Sequence, residues 1–478
     1  MNLSLAELEL DRDAMRAFVR LAAERVVHHL ATLPEQRASD TEGYSQVARA
    51  VVEPVPETGQ PFETLLDLLF QQLLVKGYNT ASPGTLSYVT GGGLFHAAVA
   101  DFIATATNPY VGYWYAAPGC AEIEHTVVRW FCDLIGLPRD SGGVLTSGGS
   151  MANLIALVTA RILRLGDDFG RATIYASDQV HHSIEKAILF AGFPANRLRL
   201  IPTDKACRMQ PEELSRAMAR DRADGFCPFF VVATAGTTNT GAVDDMQNIA
   251  EIADEQGAWL HVDAAYGGFF ALTERGRTRL AGIERADSVV LDPHKSLFLP
   301  FGTGCLLVRR LDDLRKAHLI HSDYLQTVVR LGEQSGATNI ADLSPELSRD
   351  FRGLRVWLPI KLLGAATFRR SLDEKLDLTE WTLGELRAID GIEILTEPDL
   401  TVLAFRVTLP RCSSAELDEL NQRVLERINR KGRVHLSATT VHGRFALRIC
   451  VLSFRVHRET LLTCLEDLRE AIAAEGKR

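Results

Sequence analysis

Apolar side chains recur at helical spacing over residues 14–33 (Phe18, Leu21, Ala22, Val26, Leu30), with charges on the opposite face, which predicts an amphipathic helix. Pro54, Pro56 and Pro61 punctuate the next stretch, and residues 62–74, rich in Leu and Phe, predict a second helix. After a helix over 122–135 the pattern changes. Short apolar runs alternate with helical segments: GGVLT into 151–161, ATIYAS into 183–191, RLRLIP into a helix opening at Pro211, and PFFVVATAG into 246–256. AWLHVDAAYGG, SVVLDP and GCLLVRR follow, and this rhythm predicts a mostly parallel sheet wrapped by helices. FRGLRVWLPIKLLGAATF returns to helix. GIEILTEPDLTVLAFRVTLP and RFALRICVLSF read as strands around a helix over 414–430, and an amphipathic helix ends the chain. No internal repeat is present.

A chain of 478 residues exceeds a single core and divides into lobes. We read residues 1–75 as a helical arm, either a dimerisation element or a cap on its own subunit. Residues 76–365 form the large α/β domain, and 366–478 a small C-terminal α+β domain. The net charge of -9 and the lack of a basic arm argue against nucleic-acid binding. The acidic N-terminus resembles no signal peptide and no long uncharged apolar run is present, so a cytoplasmic protein without membrane contact is expected. The eight cysteines are scattered without a C-x-x-C pair, as reduced thiols are, and neither His28-His29 nor His181-His182 has H-E-x-x-H spacing. No metal site is expected.

Three features carry candidate chemistry. In DSVVLDPHKSLFLPFGTG a short buried strand, Val289 to Leu291, delivers Lys295 into a connection whose turns are supplied by Pro300, Gly302 and Gly304. A buried lysine amine has a depressed pKa and condenses with carbonyls, whereas one at a strand end can snorkel to solvent. In TSGGSMAN a glycine turn joins a strand to a helix start, either an anion site built of free N–H groups or a tight turn capped by Ser. No Walker lysine follows it. Asp263 ends the apolar run from Trp259 and precedes the small Ala264 and Ala265, so it is either a turn residue or a carboxylate facing a flat ring. Pyridoxal phosphate has the carbonyl, the phosphate and the pyridine nitrogen that these three features need. His181, with His182 as the rival, is placed to cover the ring. Residues 326–344 lack a steady period and read as a mobile loop, a candidate lid. Tyr88, Tyr110, Tyr113 and Trp114 are candidate walls of an aromatic pocket, or packing residues.

LHVDAAYGG followed by DSVVLDPHKSL, with SDQVHHSIEKA, VATAGTTNTGAVDD and TSGGSMAN, resembles the group II pyridoxal-phosphate-dependent amino acid decarboxylases over nearly the whole chain. The resemblance implies the type I (aspartate aminotransferase-like) fold with a seven-stranded sheet and a homodimer whose site lies at the subunit interface. It implies that Lys295 forms the Schiff base, Asp263 pairs with the pyridine nitrogen, His181 stacks on the ring and Ala265 packs on its other face. Gly149, Ser150, Asp292 and His294 would surround the phosphate, with Thr238 near the ring or substrate. The implied reaction is decarboxylation of an L-amino acid, an aromatic one on the strength of the four aromatic residues above, to an amine and CO₂.

Aromatic members of that family carry a tyrosine on the mobile loop that assists protonation of the product. Residues 326–344 hold none; Tyr324 is the nearest, and Ile340 falls in the expected region. His321, a partner residue or water would have to replace it, or oxygen would divert the carbanion to an aldehyde. An acidic or diamino acid substrate and an aminotransferase remain open as alternatives. So do a serine hydrolase (Ser150, Asp263 and His294 follow the order Ser, Asp, His) and a cofactor-binding protein without activity.

Overall fold

The structure, a computed structural model, describes residues 8–319 and 336–475. The arm begins with the helix Arg12–Ala31, capped by the Asp11 carboxylate, which accepts from the Ala14 N–H at 2.7 Å. It packs against Phe62–Leu68, which continues as a π-turn over Leu69–Leu73; the Phe18 and Phe62 rings stack with centroids 3.9 Å apart. Arg25 and Asp67 tie the two helices by an ion pair of 2.5 Å. A two-stranded ribbon, β1 (Ser39–Asp40) with β2 (Gly77–Tyr78), closes the arm. The Ala38 N–H donates to the Gly432 carbonyl at 2.7 Å, fixing the arm to the C-terminal part of its own chain.

The centre is a seven-stranded sheet in the order β3-β9-β8-β7-β6-β4-β5. Its strands are β3 (Gly142–Thr146), β4 (Ala172–Ser177), β5 (Leu198–Ile201), β6 (Cys227–Thr234), β7 (Trp259–Asp263), β8 (Ser288–Leu291) and β9 (Gly304–Val308). Only β9 runs against the others, so the sheet is mostly parallel, as expected. Every residue of β3, β4, β7, β8 and β9 is buried, which explains unbroken apolar runs in place of alternation: helices cover both faces. Register places Thr234 beside Asp263, and Asp263 beside Val290, so the polar C-terminal ends of β6 and β7 meet on one edge. Open sheets present their ligand sites along that edge.

The C-terminal sheet is antiparallel, β10 (Ile392–Thr396), β11 (Val402–Val407), β12 (Ser437–Val441) and β13 (Arg444–Cys450) in the order β10-β11-β13-β12. Helices Ala365–Arg387, Ser414–Lys431 and Arg458–Glu475 accompany it, and Leu86 from far upstream is buried in its core. Strand β12, SATTV, escaped the hydrophobic pattern because only its ends are buried. Its local signal is the two-residue turn His442-Gly443, whose φ values of 49° and 75° suit a tight hairpin.

The helical reading of FRGLRVWLPIKLLGAATF becomes two helices, Arg352–Leu363 and Ala365–Arg387, parted at Gly364 with φ 70°. A larger difference concerns the candidate lid. Residues 336–344 do not form an irregular mobile loop: Ile340–Leu343 is a buried 3₁₀ turn, and the Ala341 N–H donates to the Gly112 carbonyl at 2.9 Å. Asn339 Oδ1 accepts from the Trp114 N–H at 3.1 Å and the Thr338 carbonyl lies 2.9 Å from His125 Nε2. Ile340 is 2 % exposed and packs in the cluster that contains Ala121 and Ala152. Lacking a hydrophobic period, the segment is ordered by these long-range bonds. His321, Tyr324 and residues 326–335 lie outside the described residues. All eight cysteines are free thiols, and among the described residues no helix is long and apolar enough to cross a membrane.

Candidate active site

A cavity of about 300 Å³ opens at the polar edge of the large sheet. Strand β8 ends at Leu291, and Pro293 starts a single helical turn, Pro293–Ser296, that carries Lys295. The turn is held from behind. A Cβ on Gly91 would sit 2.4 Å from the Lys295 carbonyl oxygen, so that position admits no side chain. Phe298 adopts φ 64°, a left-handed conformation costing about 1 kcal/mol in a non-glycine residue, and is secured by complete burial. Lys295 Nζ lies 3.0 Å from Asp292 Oδ2 and faces the cavity with 22 % of its side chain exposed.

The glycine turn leads into the helix Gly149–Arg164, which no side chain caps. The reading of the turn as capped by a Ser side chain therefore falls, and the first N–H groups and the positive end of the helix dipole point at the cavity. Gly149 leaves little room: a Cβ there would lie 3.0 Å from Asp292 Oδ2 and 3.4 Å from Ala265 Cβ, so the Asp292 side chain would have to shift by a few tenths of an ångström. His294 donates from Nδ1 to the Thr303 carbonyl at 2.6 Å, which leaves Nε2 on the side of Asp292, 3.7 Å away.

Asp263, at the end of β7, accepts from the Ala265 N–H on Oδ1 and from Asn153 Nδ2 on Oδ2, both at 3.1 Å. His181 is the N-cap of the helix His182–Phe190; its Nδ1 accepts from the Ser183 N–H at 3.3 Å and lies 2.8 Å from Ser183 Oγ. Burial lowers its pKa, and the nearby Asp263 carboxylate opposes that shift. The rival His182 lies against it, ring centroids 4.1 Å apart, and is absent from the cavity wall.

Gly149, Ser150, His181, Thr238, Asp263, Ala265, Asp292, His294 and Lys295 thus all line one cavity, although the chain separates them by up to 146 positions (149 to 295). Sequence reasoning missed Asn153, Ser183, Thr234 and Tyr266 in the same wall. Asn153 could have been noticed as a lone amide in the apolar run MANLIAL, four residues after Gly149 and so on the same helix face. None of Tyr88, Tyr110, Tyr113 and Trp114 lines the cavity. Tyr88 is half-exposed and rests on Tyr78, and Trp114 donates from Nε1 to Glu122 at 2.7 Å. The Ser, Asp, His order also fails as a triad, because Asp263 is bonded to Asn153 and Ala265 while His294 is bonded to Thr303.

Two atoms of the wall, Asp292 Oδ1 and Thr234 Oγ1, are buried without a hydrogen-bond partner. Orphaned polar atoms in a cavity suit a bound polar group. A free helix N-terminus for an anion, an amine for a carbonyl and a carboxylate at the far wall fit pyridoxal phosphate.

Comparison with known proteins agrees. The model of the pyridoxal-dependent decarboxylase conserved domain matches residues 46–408. An aromatic-L-amino-acid decarboxylase of Bacillus atrophaeus is 33 % identical over 469 residues, covering 98 % of this chain and 97 % of that one. A phenylacetaldehyde synthase of Petunia hybrida is 30 % identical over 424 residues, covering 84 % and 83 %. The crystal structure of Oryza sativa TDC with PLP and tryptamine superimposes with a TM-score of 0.92 at 27 % identity, covering 98 % of this chain and 99 % of that one. The type I fold expected from the sequence is therefore the fold observed.

Proposed function

The chain belongs to the pyridoxal-dependent decarboxylase family and is a pyridoxal-phosphate-dependent carboxy-lyase; from that premise we propose that it converts an aromatic L-amino acid to its amine and CO₂, with Lys295 as the cofactor-binding amine. The observation that carries the residue assignment is the convergence of Lys295, Asp263, His181 and the Gly149 helix start on one cavity. Bound pyridoxal phosphate supplies a sink for the electron pair left behind when CO₂ departs. The chain's part is to place and polarise it. Asp263, fixed by two donors, offers its remaining lone pairs to the pyridine nitrogen. His181 and Ala265 bracket the ring, and Thr238 lies beside ring or substrate. Gly149, Ser150, Asp292 and His294 surround the phosphate at the helix start, with Asp292 Oδ2 3.0 Å from Lys295 Nζ.

The aromatic substrate is supported by the relative in Bacillus atrophaeus, not by a pocket of aromatic side chains in this subunit. Incubating the enzyme with each common L-amino acid while measuring CO₂, amine, aldehyde and peroxide tests it; turnover confined to an acidic or diamino acid would overturn the assignment. The same assay decides a second reading, favoured by the Petunia hybrida relative: decarboxylation with oxidative deamination, in which aldehyde, ammonia and peroxide replace the amine.

We assign residues 1–75 to dimerisation. Met15, Phe18, Val19, Val27, Leu65 and Leu69 of the two arm helices are exposed apolar residues, more than a solvated cap needs. Sedimentation equilibrium of the full chain should give a dimer, and a monomer at micromolar concentration would remove the assignment.

A further inference from the structure

Behind the cavity a chain of buried polar side chains runs from the carboxylate Asp263 into the sheet, and the chemistry of its two ends fixes every proton in it. Asp263 Oδ2 only accepts, so the Asn153 atom 3.1 Å from it is the amide NH₂, which also donates to Ser183 Oγ at 2.9 Å. Asn153 Oδ1 then faces His261 Nε2 at 2.9 Å and must accept, so His261 carries its proton on Nε2. Burial pushes the His261 pKa down to about 4, so the ring is neutral and its Nδ1 is an acceptor. Ser288 Oγ, 2.8 Å from Nδ1, donates to it and in turn accepts from the Trp259 indole N–H at 2.8 Å. An indole can only donate. The polarity dictated by the carboxylate at one end is therefore the polarity dictated by the indole at the other. Asn153, His261, Ser288 and Trp259 are each at most 1 % exposed, so water cannot substitute for any of them.

We propose that Asn153 is a positioning residue for Asp263, anchored from the core by His261, and that this chain sets how firmly the cofactor's ring nitrogen holds its proton. The inference rests on the pairing of Asp263 with that nitrogen. A donor to Oδ2 stabilises the carboxylate as an anion and keeps the shared proton on the ring nitrogen, the state that withdraws electrons best. Without it the proton moves toward Asp263. The donor also fixes the carboxylate's rotation, since Ala265 N–H holds only Oδ1.

The test is ¹⁵N NMR of the holoenzyme reconstituted with pyridoxal phosphate labelled at the pyridine nitrogen, alongside kcat and KM. Asn153→Ala should move the resonance toward the unprotonated position and lower kcat about ten- to a hundredfold with KM little changed, the range expected for a lost bond to a charged group. His261→Leu should move it in the same direction by less, and His261→Gln, whose amide can donate to Asn153 and accept from Ser288, should restore it. A generic packing defect would not discriminate between Leu and Gln. If His261→Leu does not fold, Ser288→Ala, which frees Nδ1 from its donor, takes its place. Asp263→Asn separates the two levels of the argument. If it shifts the resonance while Asn153→Ala and His261→Leu leave it at the wild-type position, the positioning role is overturned. If Asp263→Asn leaves it unmoved as well, the pairing itself is wrong.

Discussion

Two lysines of this protein invite the same explanation and receive opposite ones. Lys375, in the helix Ala365–Arg387, is fully buried, donates to the Val456 carbonyl and to Glu374 Oε2, and has its pKa lowered by burial. Lys295, beside the large sheet, keeps 22 % of its side chain exposed, and its charge partner is the cavity carboxylate Asp292. Burial alone would select the wrong lysine. What separates them is the direction of their bonds: Lys375 is tied to backbone and helix, whereas Lys295 faces open space. Two buried amides repeat the contrast. Asn421 in the small domain binds only backbone, exchanging two bonds with Val407 at 2.8 Å each and donating to the Leu417 carbonyl at 2.7 Å, and serves the architecture. Asn153 binds only side chains, two of them in the cavity wall.

The largest expected difference comes from truncating each lysine. Lys295→Ala should lower turnover by roughly 10³-fold or more, with little change in unfolding midpoint. It should also abolish the covalent adduct that borohydride forms on the peptide containing residue 295. Lys375→Ala should keep that adduct and instead lose about 3 kcal/mol of stability, from a cavity and an orphaned carbonyl. An adduct surviving in Lys295→Ala would break the comparison.

Acid unfolding sharpens it further. His261 is held neutral, with a pKa near 4 in place of 6.5. As the pH falls below 6.5 the unfolded chain takes up a proton that the folded chain refuses until about 4. Stability is therefore lost across that window, by about 3 kcal/mol from this residue alone. Urea titrations between pH 7 and 4 should show a flatter dependence for His261→Gln than for wild type. The smallest effect belongs to the small domain, where Ser413 and Glu416 form a capping box for the helix Ser414–Lys431. Ser413→Ala should cost about 1 kcal/mol without altering the cofactor's absorbance.

Much of this was legible in the chain because the information is local. The large sheet's strands are unbroken apolar runs, since both faces are covered, and Lys295, Asp263, His181 and the glycine turn each sit within a short motif. Ile340 and Asn339 were not legible: they read as part of a loop, and their place is set by burial of Ile340 and by bonds from the segment to residues more than 200 positions away, besides local ones to Asp342. Strand β12 was missed for a related reason, being half solvated and specified by its turn and by pairing with β13. None of the four aromatic residues lines the cavity of this subunit, because composition says what a loop carries and not which way it faces.

The sequence by itself determined the family, the cofactor and the order of elements, because hydrophobic period and motif chemistry are properties of neighbouring residues. Tertiary structure alone decided which lysine faces a cavity, that no side chain caps the Gly149 helix, and that one amide links Asp263 to an indole in the core. Those facts depend on the direction of side chains brought together from distant positions. Register along the parallel strands sets that direction, and it emerges only when the sheet closes.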